Sequence, residues 1–187
     1  MCEPIMPIWI TAYHEAGHAV VAALQRKKTE GEGGSIRFAV PFKYVTIRPK
    51  PNKRGAVGHV VMSSKYCIDP DLIVLLAGAC AVSRFTHEKS RFNGCSSDLG
   101  EYFRILDGFV PEESEREAII DGTMKQCHDE VIRAWPAIED VAHDLLEKGT
   151  LTKKEVEARC KEHGLKYNRW VFAVETRDLR CAGNNAV

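Results

Sequence analysis

Thr11-Ala-Tyr-His-Glu-Ala-Gly-His-Ala-Val-Val-Ala-Ala-Leu24 is the stretch on which the reading of this chain turns. Tyr13, Ala16, Gly17, Val20 and Leu24 recur at helical spacing, and Thr11 is placed to cap the first turn. His14 and His18 are four residues apart, slightly more than one turn, so their imidazoles share one face of that helix. Glu15 follows His14 directly. A helical His-Glu-x-x-His lets two imidazoles bind one zinc ion at about 2.0–2.1 Å while the carboxylate serves as general base. Zinc lowers the pKa of a bound water to about 7, which supplies a nucleophile for a peptide carbonyl at neutral pH. The competing reading is an ordinary amphipathic helix with its polar residues in water. Against it, two histidines and a carboxylate on a mostly apolar helix cost free energy unless they are paired or metallated.

A catalytic zinc takes three protein ligands and keeps one position open. The residues after His18 are Ala-Val-Val-Ala-Ala, which cannot ligate, so the third ligand comes from elsewhere in the chain. Asp98, Glu101, His87, Glu88 and His59 are the candidates, and spacing alone does not choose among them.

Outward from this helix, Lys27 to Ser35 is a polar, Gly-rich stretch that reads as a surface loop. Ile36–Val40, Tyr44–Arg48 and Ala56–Met62 are rich in β-formers and predict a small sheet of three or four strands. Asp71 to about Thr86 predicts an apolar helix, and a short helix is expected to start near Asp98. From Glu112, the residues Ile119, Met124, Cys127, Val131, Trp135, Ile138, Ala142 and Leu145 trace an apolar stripe. Pro136 demands a kink there, or two helices that meet. Gly149 ends that run, and Thr152-Lys-Lys-Glu155 is a capping box for a last helix that stops at Gly164. The fold class read from this is mainly α, with a small β-sheet near the His-Glu-x-x-His helix. Residues 1–164 read as one domain and 165–187 as a C-terminal extension.

Composition narrows the function. Lys+Arg and Asp+Glu both number 26, a formal net charge of +0, which lacks the positive excess typical of nucleic-acid binders. The longest apolar stretch, Leu72–Val82, is shorter than the roughly 20 residues a membrane span takes. Seven cysteines without any Cys-x-x-Cys spacing argue against a disulfide framework and for a reducing compartment, the cytoplasm being the expected location.

Three segments in order carry a resemblance: Tyr13-His-Glu-Ala-Gly-His-Ala19, Tyr44-Val-Thr-Ile-Arg-Pro49 and Gly94-Cys-Ser-Ser-Asp-Leu99. Together they resemble the peptidase domain of the FtsH-type zinc metalloproteases, whose active-site helix is followed by a small sheet and a Leu-Leu-Gly-Gly-like helix, here Leu75-Leu-Ala-Gly78. Leu145–Leu151 with Glu155 is similar to the family's C-terminal signature, and the likeness covers roughly residues 11–163. The resemblance implies a zincin-like peptidase that holds one zinc ion with His14, His18 and Asp98, with Glu15 as its catalytic base. It also implies that Gly58, His59 and Val60 form a strand edge along which an extended substrate lies. Val82 and Ser83 stand where the family usually carries a pair of glutamates. No G-x-x-x-x-G-K-[ST] loop and no membrane anchor are found. The expectation is therefore a free-standing domain, or a piece of something larger, that cleaves peptides or unfolded polypeptide without an ATPase of its own. A homo-oligomer or a separate ATPase subunit is the partner this implies. The alternative is a non-catalytic zinc-binding module of the same family that holds peptides or related subunits.

Overall fold

Every residue from Thr11 to Leu24 is buried, so the helix that carries the histidines runs through the centre of the molecule. A helix apolar all round belongs in a core. A computed structural model describes residues 7–28, 36–38, 42–48, 59–62, 68–87, 96–110, 112–166 and 168–169. The central helix, α1, spans Ile8–Leu24 and starts earlier than the sequence suggests. Pro7 is its N-cap, and the Pro7 carbonyl accepts from the amides of Ile10 and Thr11. Thr11 is therefore a buried residue of the second turn and caps nothing. A proline before the helix sets its backbone in advance and lacks an amide that would need a partner.

The chain leaves α1 straight into β1 (Gln25–Lys28), which corrects the expectation of a loop from Lys27; residues 29–35 lie outside the described set. β2 (Ile36–Phe38) pairs with β1 antiparallel, and β6 (Asn168–Arg169) pairs with it parallel. β3 (Phe42–Thr46) lies between β4 (His59–Met62) and β5 (Thr150–Thr152), antiparallel to both. The single small sheet expected is thus two three-stranded sheets among the described residues. α2 (Ile68–Thr86), α3 (Ser96–Phe109), α4 (Glu113–Arg133), α5 (Trp135–Lys148) and α6 (Lys153–Glu162) complete a mainly α fold. No described helix is long and apolar enough to cross a membrane.

α2 and α5 pack on α1, and α4 packs on α2. Pro136 resolves into two helices, with the proline in the first turn of α5, where no amide is missed. The apolar stripe divides between them: Cys127 and Val131 on α4, and Ile138, Ala142 and Leu145 on α5, all face the core. At the end of α5, Gly149 takes a left-handed conformation with φ of 76°, and Arg48 fills the space where a Cβ would stand. The Arg48 guanidinium donates to the Lys148 carbonyl at 2.7 Å and so caps the helix. Thr152 and Glu155 form the capping box of α6 with both reciprocal bonds present.

Asp144 on α5 is buried and receives Arg159 of α6 through two hydrogen bonds, 2.8 and 3.1 Å. Those bonds hold its carboxyl below the ordinary range, against the effect of burial. A carboxyl depressed in the folded state stabilises it above the unfolded pKa of about 3.9, and that contribution fades as pH falls through the folded value. Asp144→Asn should therefore lower stability by about 1–3 kcal/mol at pH 7. In urea unfolding at pH 7 and pH 3, the gap between variant and wild type should close at the lower pH.

Candidate metal centre

The imidazoles of His14 and His18 reach across from α1 to the first turn of α3, where Asp98 sits. Asp98 Oδ2 is 3.0 Å from His14 Nε2 and 3.3 Å from His18 Nε2, and the two Nε2 atoms are 3.0 Å apart. Among the described residues this is the one group of three ligating side chains whose donor atoms converge. Donors held tetrahedrally at about 2.0–2.1 Å from zinc stand about 3.3 Å apart, so the triangle is close to the size that zinc demands.

The orientation of His18 supports the same fit. Its Nδ1 lies 2.5 Å from the carbonyl oxygen of Val74 on α2. A carbonyl can only accept, so Nδ1 carries a proton and Nε2 is the nitrogen turned toward His14 and Asp98. A backbone partner that fixes the outer nitrogen is the usual support for a ligating histidine. α2 also supplies the room: a Cβ at Gly78 would lie 2.4 Å from His18 Nε2 and 2.6 Å from His14 Cε1. Only a residue without a side chain lets α2 approach both rings this closely.

Electrostatics favour a positive charge between these donors. Burial lowers His14, joined by the nearby His18, while Asp98 opposes both. Burial would also lower His18, but hydrogen bonding to Asp98, the charges of Asp98 and Glu15 and the Val74 carbonyl together raise it to about 9. Asp98 is held far below the carboxylate range: burial opposes this, and bonds from both histidines outweigh it. Glu15 is buried next to them, and burial pushes it up to about 7, with His18 opposing and Asp98 adding. A carboxylate with a pKa near neutrality suits proton transfer at working pH.

Of the other candidate ligands, Glu101 turns to Arg104 (2.8 Å) and His87 is exposed at the end of α2. Glu88 lies outside the described residues, as does Gly58. His59 and Val60 lie on β4, where they pair with Thr46 and Val45 of β3, and β4 is an outer strand of its sheet. Val82 and Ser83 are half-buried on α2, one turn beyond Gly78. Sequence reasoning missed two contributors, the Val74 carbonyl and the bare face at Gly78. The second left a signal, since an isolated glycine inside an apolar helix weakens it and asks for a packing reason.

No protein-family model matches the chain. Two curated proteins are similar to part of it. The ATP-dependent zinc metalloprotease FtsH of Helicobacter pylori (strain J99) is 32% identical over 103 residues, 54% of this chain and 15% of that protein. The ATP-dependent zinc metalloprotease FtsH of Acidobacterium capsulatum is 30% identical over 95 residues, 48% of this chain and 13% of that protein. The chain thus matches a small part of the length of these relatives. The likeness points toward the FtsH family, whose named members are zinc metalloproteases.

Proposed function

We propose that this chain is a zinc-dependent endopeptidase domain, residues 1–164, that hydrolyses peptides or unfolded polypeptide without consuming nucleotide. The observation that carries this reading is the convergence of His14, His18 and Asp98 with the buried Glu15 beside them. His14 Nε2, His18 Nε2 and an Asp98 carboxylate oxygen would hold one zinc ion, leaving the fourth position to solvent or substrate. A zinc ion in such a site polarises a peptide carbonyl and acidifies water. The chain's own residues do the remainder. Glu15 takes the proton released on attack and returns it to the leaving amine. The Val74 carbonyl keeps His18 in the tautomer that presents Nε2. β4, an outer strand near α1, offers backbone groups to an extended substrate at His59 and Val60.

Asp98 is the ligand that sequence spacing left open, and it gives the direct test. Asp98→Ala should weaken zinc binding by more than the roughly 10–100-fold typical of losing a supporting partner. Metal content after dialysis against a graded chelator reads this out, with turnover of an unfolded substrate measured in parallel. Wild-type affinity retained in Asp98→Ala would sink the assignment. Full zinc with no turnover in the wild type would favour a binding module over an enzyme.

A further inference from the structure

Asp98 stands in the first turn of α3 and is only half-buried. The first buried residue after it is Tyr102, 1% exposed, which with Ile105 and Leu106 forms the stripe that α3 turns to the core. Position 102 is one turn on from position 98, so the two side chains share a face, and the Tyr102 amide closes on the Asp98 carbonyl in the helix ladder. The Tyr102 phenol leads away from α3: its Oη is 2.6 Å from Thr123 Oγ1 on α4. Thr123 Oγ1 also lies 2.7 Å from the Ile119 carbonyl and 3.1 Å from that of Ile120, so its one proton is spent inside its own helix. The threonine oxygen therefore accepts, and the phenol of Tyr102 donates. A second tie between the same helices, Arg116 to Asp107 at 2.6 Å, has Asp107 mostly in water. An exposed ion pair holds a position weakly. A part-buried hydrogen bond whose donor and acceptor are both fixed holds it better.

We propose that Tyr102 is a positioning residue for the metal centre: its hydrogen bond to Thr123 sets the height and rotation of α3 against α4, and so the place of Asp98 before His14 and His18. The two histidines ride on one buried helix and keep their spacing whatever α3 does. Asp98 is the donor that arrives on a separate element, 3.0 Å from His14 Nε2. A donor set works only when held within about 0.5 Å of its geometry, so the helix that brings the third donor needs a fixed reference outside the site. Thr123 is that reference. Without the bond, the turn that carries Asp98 loses its nearest polar anchor on α4, and slides and small rotations of α3 move one donor relative to the other two. The effect on zinc rests on the metal-site reading above, whereas the brace itself does not.

The test uses the full chain. Tyr102→Phe removes the phenol oxygen, keeps the ring in the core and leaves Thr123 its bonds within α4, so the variant folds. In the metal-free chain, amide exchange of residue 102 and its α3 neighbours should quicken about 5–10-fold. Zinc affinity, read by chelator competition, should fall about tenfold in Tyr102→Phe and in Thr123→Val, and return in Thr123→Ser, which keeps the accepting oxygen. Lower stability by itself does not move this affinity while the chain stays folded. The visible spectrum of bound cobalt, which follows the geometry of its ligands, should change in Tyr102→Phe and stay as wild type in Asp107→Asn. Unchanged α3 exchange in Tyr102→Phe overturns the brace. Faster exchange with wild-type zinc affinity and cobalt spectrum overturns its reach to Asp98. A loss of affinity in Asp107→Asn as large as in Tyr102→Phe overturns the assignment to Tyr102. A wild-type chain that takes up no zinc defeats the proposed function, and amide exchange still decides the brace.

Discussion

Glu15→Gln should bind zinc like the wild type and lose about 10²–10⁴-fold in peptide turnover. Glutamine preserves the size and polarity of the buried side chain, so packing along α1 is kept. It cannot take a proton, which is the one property the proposed role requires. Glu15 is buried beside the donors yet belongs to no convergent trio, and this separates it from His14, His18 and Asp98. A metal assay and a turnover assay on the same sample therefore give different answers for this variant, whereas a ligand variant fails in both. Equal turnover in Glu15→Gln and wild type would remove the catalytic reading and leave the zinc-binding, peptide-holding alternative.

The second large effect comes from residues with no side chain at all. Gly17 on α1 and Gly78 on α2 both stand where the helices meet, but a Cβ would strike different things. At Gly17 it would meet the backbone oxygen of Ala77 at 2.6 Å and the Ala81 Cβ at 2.7 Å, so α2 itself would have to move. Gly17→Ala should cost about 1–3 kcal/mol of folding stability, less the gain of about 1 kcal/mol in helix propensity. At Gly78 the obstructed atoms are side-chain ring atoms of His14 and His18, with no backbone among them. Gly78→Ala should leave the unfolding midpoint nearly where it was and lower zinc affinity by about 10–100-fold or more. Urea unfolding and chelator competition on the two variants should give opposite patterns. A Gly78→Ala protein with native zinc affinity would show that α2 does not shape the site.

Periodicity was enough to find the helices, because apolar stripes and capping chemistry are local properties. Thr152 and Glu155 cap α6 and Gly149 ends α5 where their residue types say they should. The same local logic misplaced the start of α1, because Thr11 is a good cap by chemistry while Pro7, lacking a side-chain acceptor, is the residue that caps. The division of the strands into two sheets was not legible, since β5 and β6 reach β3 and β1 from distant parts of the chain. Within the site, His14, Glu15 and His18 share one helix and so could be read from spacing. Asp98 joins them across 84 residues of separation from His14, a distance that no periodicity encodes. Family resemblance singled it out, and geometry brings it to the histidines.

The burial of α1 has a consequence for how the centre comes apart. Amides of a helix enclosed on every side exchange with solvent only when the whole domain opens, whereas an exposed helix start can fray by itself. Ser97 and Gly100, which flank Asp98 on α3, are exposed. One side of the centre is thus as durable as the fold and the other stands at an exposed helix start, so an ion held as proposed should, on mild heating, be lost first from Asp98.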